Sequence, residues 1–164
     1  MNELYLLRHG IAVPPGTAGY EDDERPLTAK GERRTRQIAQ GLRRLNLQLD
    51  RVITSPLPRA QRTAEIVAET LDITYLLETA DALRAGQSAS SIREWLNGRT
   101  EPRLMIVGHD PAFSDLVSLL LTDKPGPPIC QLRKGGLAAF RAQANGRFQL
   151  DWLARPRLIR RLSK

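Results

Sequence analysis

The chain has 164 residues, 41% of them hydrophobic and 26% charged, enough for one compact core and too few for two ordinary domains, so a single domain over residues 1–164 is expected. Lys and Arg number 25 against 18 for Asp and Glu, a formal net charge of +7 that suits an anionic substrate or partner without naming it. One cysteine, Cys130, excludes an internal disulfide, no Cys and His grouping has zinc spacing, and Met1 to Arg8 has neither a signal-type apolar region nor the roughly 20 apolar residues of a membrane span; a cytoplasmic protein without membrane attachment is the expectation.

In chain order, Glu3 to Leu7 reads as a buried strand, because Leu4, Tyr5, Leu6 and Leu7 run without interruption and stop at Arg8-His9-Gly10. A polar, Pro- and Gly-rich loop follows to Glu24. From about Lys30 to Leu45, Ile38, Leu42 and Leu45 recur at helical spacing opposite a face of arginines, with Thr28 as the cap. Arg51 to Thr54 gives a second strand ending at Ser55-Pro56, and Ala60, Ala64, Val67, Ala68 and Leu71 share one face of a helix that begins near Arg59. A third strand is predicted at Ile73 to Leu77 and a short helix around Ile92, Trp95 and Leu96, closed by Asn97-Gly98. Leu104 to Val107 is a fourth strand ending at Gly108-His109-Asp110-Pro111, followed by a helix marked by Phe113, Leu116, Val117 and Leu120. Beyond the prolines of 125–128, Gly136 to Arg141 and Arg147 to Leu153 read as a hairpin turning at Asn145-Gly146.

This alternation predicts an α/β fold, a three-layer α/β/α single domain with a mostly parallel central sheet. In such sheets ligands bind at the carboxyl ends of the strands. The residues directly after three predicted strands are Arg8 with His9, Ser55 with Arg59, and His109, and the two histidines are the only ones in the chain. A guanidinium and an imidazole at one strand end, followed by Gly10 that lets backbone approach a ligand, suit a tetrahedral oxyanion. The helix after His109 would turn its amino-terminal dipole toward the same anion.

Three segments together resemble the signatures of the histidine phosphatase superfamily, the phosphoglycerate mutase-like or RHG family: Leu7-Arg8-His9-Gly10, then Ser55-Pro56-Leu57-Pro58-Arg59-Ala60 with Thr63-Ala64, then Val107-Gly108-His109-Asp110-Pro111. With Arg25-Pro26-Leu27-Thr28, Gly31 and the short length, the chain looks most similar to the SixA-type phosphohistidine phosphatases within it. The resemblance implies the phosphoglycerate mutase-like fold and a metal-independent reaction needing no cofactor. It also implies that His9 is the nucleophile, transiently phosphorylated, that Arg8 and Arg59 hold the non-bridging oxygens, and that His109 donates a hydrogen bond to them. Gly10, Arg25 and Ser55 are expected to contact the substrate.

Hydrolysis of an alkyl phosphate needs a general acid for a poor leaving group, and Glu78 and Asp81, after the third predicted strand, are the candidates. A phosphohistidine leaves as imidazole and can do without one. With little sequence for a lid between Leu77 and Arg103, a phosphorylated protein is the expected substrate, phosphohistidine-bearing, and a monomer the expected state. The alternatives are a phosphomonoesterase or mutase for a small phosphorylated metabolite, or a non-catalytic phosphate-recognising or basic nucleic-acid-binding module. Sparse aromatics argue against nucleic acid. The basic tail, Arg155-Pro156-Arg157 and Arg160-Arg161, reads as a solvated, partly docked terminus, Trp95 and Trp152 as core, and Cys130 as unreactive.

Overall fold

The computed structural model describes residues 1–163. Four strands lie parallel, β1 (Glu3–Arg8), β2 (Arg51–Thr54), β3 (Leu77–Thr79) and β4 (Arg103–Gly108), and two close one edge, β5 (Leu137–Ala142) and β6 (Phe148–Ala154), in the order β3-β2-β4-β1-β5-β6. β5 runs antiparallel to β1 and β6 antiparallel to β5. The helices are α1 (Ala29–Arg44), α2 (Pro58–Leu71), α3 (Ala89–Asn97), α4 (Ala112–Thr122) and α5 (Pro156–Arg161). This is the α/β/α sandwich with a mostly parallel sheet that strand and helix alternation predicts.

Period-two alternation sorts the strand residues between two cores. Tyr5, Leu7, Val52, Met105 and Val107 pack under α1, α2 and α5 with Ile38, Leu42, Val67 and Ile159. Leu4, Leu6, Ile53, Leu104 and Ile106 face the other way, onto Ile92 of α3 and Phe113, Leu116 and Val117 of α4. Burial on both faces is why β1 and β4 read as unbroken apolar runs rather than alternating ones. Thr28 caps α1 as expected, its Oγ1 accepting from the Gly31 amide at 2.9 Å.

One segment departs from the sequence reading. The third strand is Leu77–Thr79 and not Ile73 to Leu77: α2 ends at Asp72 in the left-handed conformation, Thr74–Leu76 makes one 3-10 turn, and pairing with β2 begins at Leu77 opposite Val52. Ile73 and Leu77 still pack on the core, which explains the apolar signal, while Tyr75 between them points to solvent. The basic tail is the partly docked terminus that its sequence suggests. Pro156 starts a helix there, and Ile159 is buried against Gly41 of α1, where no Cβ would fit.

Candidate active site

The carboxyl ends of β1, β2 and β4 are level in register, Arg8 beside Gly108 and Thr54 beside Val107, so the residues that follow each strand converge. His9 and His109 are buried, with ring centroids 5.2 Å apart. They open onto a pocket of about 260 Å³ lined by Arg8, Arg25, Arg59, Asp22, Asp110 and Lys134 among others. A larger cavity, about 440 Å³, lies at the opposite, amino-terminal ends of the strands beside Tyr5 and Trp152, and contains neither histidine.

The His9 ring has a fixed tautomer. Its Nδ1 lies 2.7 Å from the Gly10 carbonyl oxygen, and since a carbonyl only accepts, Nδ1 carries the proton and Nε2 keeps its lone pair. Burial, then the neighbouring His109, hold the His9 pKa down at about 3, so the ring is neutral near pH 7. His109 is likewise lowered to about 3, by burial and then by the charges of Arg59 and Arg8. Its Nε2 lies 2.8 Å from Ser55 Oγ, which already accepts from the Leu57 amide. The arrangement that uses every donor has the Ser55 hydroxyl donating to Nε2, leaving an N–H on His109 Nδ1, a buried atom with no partner among the described residues.

The arginines are anchored by hydrogen bonds, and two of them keep a buried Nε without a partner among the described residues. Arg8 donates from an η nitrogen to the Leu132 carbonyl at 2.6 Å and lies 3.4 Å from Asp110, while its Nε has no partner among the described residues. Arg59, buried, donates to the Asp22 carbonyl at 2.8 Å, and its Nε is likewise unpartnered. Arg25 donates to Asp22 Oδ1 at 2.9 Å and to the Val13 carbonyl at 2.7 Å, and is buried. Three buried N–H groups without partners among the described residues thus belong to residues that line one pocket with a neutral imidazole, a set of donors of the kind that can bind a tetrahedral oxyanion. Imidazoles and guanidiniums supply all of it, and the described residues contain no group of three or more His, Cys, Asp or Glu able to hold a metal ion.

Several expectations at the site change. Gly10 does not offer its backbone to a ligand: its amide donates to Thr63 Oγ1 at 3.0 Å, and an added Cβ would stand 2.5 Å from Thr35 Oγ1, so glycine is required for helix packing. Ser55 is fully buried and bonded to His109, and does not line the pocket. Glu78 is exposed and ion-paired to Arg51 at 2.7 Å, and Asp81 is exposed and paired to Arg84 at 3.1 Å; neither lines the pocket. The free helix dipole expected after His109 is also met from within, since Asp110 accepts from the Ser114 amide at 3.3 Å.

The carboxylates that do line the pocket, Asp22 and Asp110, and the cation Lys134 are not among the site residues expected from sequence. Asp110 stands in a quoted motif and was readable from it. Asp22 lies in a loop without periodicity. Lys134 arrives because β5 is antiparallel, so the loop before it reaches the active end: the Gly135 amide donates to the carbonyls of both Arg8 and His9 at 3.0 Å.

The family model of the histidine phosphatase superfamily, branch 1, matches residues 4–84. An uncharacterised protein of Picosynechococcus sp. (strain PCC 7002) is 36% identical over 87% of this chain and 86% of its own length. Phosphohistidine phosphatase SixA of Escherichia coli is 24% identical over 94% of both chains. Among solved structures, that of the protein histidine phosphatase SixA complexed with tungstate superposes with a TM-score of 0.81 at 23% identity, covering 96% of this chain and 99% of the other. None of the helices is long and apolar enough to cross a membrane among the described residues.

Proposed function

Since the chain belongs to the histidine phosphatase superfamily and has its phosphoglycerate mutase-like fold, we propose that this phosphatase removes the phosphoryl group from phosphohistidine on a protein. The observation that carries this reading is the state of the carboxylates. Asp22 has its pKa held below the usual carboxylate value chiefly by its hydrogen bond from Arg25, Asp110 is occupied by Arg8 and Ser114, and Glu78 and Asp81 stand outside the pocket. An alkoxide leaving group needs a proton in the transition state; an imidazole whose far nitrogen is protonated departs neutral without one. The similarity to SixA over nearly the whole chain supports the same choice.

In this reading the lone pair on His9 Nε2 attacks phosphorus, the P–N bond to the substrate imidazole breaks, and its electron pair returns to that ring. Arg8, Arg59 and the His109 Nδ1–H hold the three peripheral oxygens, and Arg25 fixes the loop that carries Asp22. Water then attacks phosphorus on His9, releasing inorganic phosphate and restoring the neutral ring. Incubation with phosphohistidine or phosphoramidate is expected to release phosphate through an acid-labile phosphoenzyme, and His9→Ala to lower turnover about a thousandfold or more with no phosphoenzyme. Full activity in that variant, or strong alkyl-phosphate turnover with none on phosphoramidate, would overturn the proposal.

A further inference from the structure

Most arginines of this chain have a carboxylate at hand: Arg36 pairs with Glu32, Arg43 with Asp72, Arg62 with Glu65 and Glu69, Arg103 with Asp50 and Arg147 with Asp123. One part of the surface differs. Lys134 at the rim of the active-site pocket also lines a small recess with Arg34 of α1 and Arg160 of α5, and Arg160 in turn lines an outer hollow with Arg157, Arg161 and Gln37. The three depressions share residues and so form one track leading out from His9. Among the described residues, Lys134, Arg34, Arg157, Arg160 and Arg161 make no ion pair; Arg33, Arg133 and Arg155 make none either, but the first five are joined by these shared depressions, so the track is a continuous run of uncompensated positive charge.

From this geometry we infer that the α1–α5 face is a docking surface for an acidic stretch of the protein that carries the phosphohistidine, lying along Lys134, Arg34, Arg160 and Arg157 while the phosphoryl group enters the pocket. The inference rests on the phosphohistidine reading above. Its physical basis is field and continuity. Like charges crowd each other here, Lys134 being lowered by burial and by Arg8, Arg25 and Arg59, and Arg160 by burial and by Arg34 and Arg157. Carboxylates laid on the track relieve that repulsion, and the positive rim speeds encounter with an anionic partner. The surface is also firmly built, because Ile159 locks α5 to Gly41 and fixes Arg157, Arg160 and Arg161 relative to the active site. No array of exposed aromatic rings flanks the track for stacking bases, which favours a protein acid patch over a single-stranded nucleic acid.

The test uses two synthetic phosphohistidine peptides that differ only in a flank of about eight residues, all Glu in one and all Gln in the other, long enough to span up to about 26 Å when extended. With the full chain, kcat/KM is expected to be about tenfold higher for the Glu peptide at low salt, with the preference vanishing by about 0.5 M salt as screening shortens to a few ångströms. The variant Arg34→Glu/Arg160→Glu is expected to abolish or reverse the preference while leaving phosphoramidate turnover unchanged, and Arg34→Gln/Arg160→Gln to reduce it, with thermal melts checking that both fold. Equal kcat/KM for the two peptides, or a preference that survives Arg34→Glu/Arg160→Glu, overturns the inference. Binding of the unphosphorylated Glu peptide, followed by fluorescence anisotropy, separates the two readings: charge-dependent binding without phosphohistidine turnover removes the proposed substrate and keeps the docking surface, whereas turnover without such binding does the opposite. Tighter binding of a uridine RNA 20-mer than of the Glu peptide, lost in the same variant, would make the track a nucleic-acid site and refute the assignment.

Discussion

His9 and His109 are held neutral by burial first and by surrounding positive charge second, and this has a cost in acid. In the unfolded chain each takes up a proton near pH 6.5, in the folded chain near 3, so between those values the unfolded state binds more protons and stability falls as pH falls. The slope is up to about 1.4 kcal/mol per pH unit for each histidine, and above about pH 6.5 the pair contributes no pH dependence. Melting curves from pH 7 to pH 4 are expected to show a shallower decline for His9→Asn/His109→Asn than for the unsubstituted chain; equal slopes would show that neither ring is held in this way. Ser55→Ala tests the orientation of His109. With its Nε2 partner gone the ring loses its fixed tautomer, and kcat is expected to fall roughly tenfold, about 1.4 kcal/mol in barrier, with KM changed less. A change confined to KM would make Ser55 a substrate contact instead. Glu78→Gln and Asp81→Asn are expected to leave phosphoramidate turnover within about twofold, since losing an exposed ion pair changes little.

Secondary elements hold the site through close contacts that permit no side chain. At Gly108 a Cβ would stand 2.6 Å from the Phe113 ring, so β4 and α4 touch directly below His109. At Gly41 a Cβ would stand 2.2 Å from the Ile159 carbonyl oxygen, so α1 and α5 touch in the same way. Gly41→Ala is expected to destabilise the chain by about 1–3 kcal/mol in denaturant unfolding, as overpacking does, while changing phosphoramidate turnover little, because α5 lies outside the phosphate cradle. The antiparallel β5 has the larger functional effect. By reversing direction it brings its leading loop, with Leu132, Lys134 and Gly135, to the carboxyl end of β1, where the loop fixes the Arg8 guanidinium and the His9 backbone.

At the scale of the molecule, one sheet separates two cores, and each has a tryptophan at its margin: Trp152 packs near Tyr5, ring centroids 6.4 Å apart, and Trp95 sits at the edge of the α3–α4 side. Because every central strand contributes residues to both cores, neither can unfold alone. Tryptophan fluorescence and far-UV circular dichroism are therefore expected to give coincident, single denaturant transitions, as a single domain over the whole chain requires; separated midpoints would indicate two cooperative units. Charge is less evenly distributed than hydrophobicity: among the described residues most arginines have a carboxylate partner, whereas Arg34, Arg157, Arg160 and Arg161 on the α1–α5 side have none.

Local physics sufficed for much of this. Unbroken apolar runs made β1 and β4, helical spacing and the Thr28 cap made α1, and two histidines placed just after strands marked the pocket they line. Those signals are readable because they lie within a few residues of one another. Tertiary structure alone decided what depends on distant partners: that Gly10 packs on Thr35 and Thr63, that Ser55 lies buried against His109, that Arg25 is buried, that Glu78 and Asp81 lie outside the pocket, and that Lys134 lines it. Strand order and direction set these contacts, and neither is written in any local stretch of the chain.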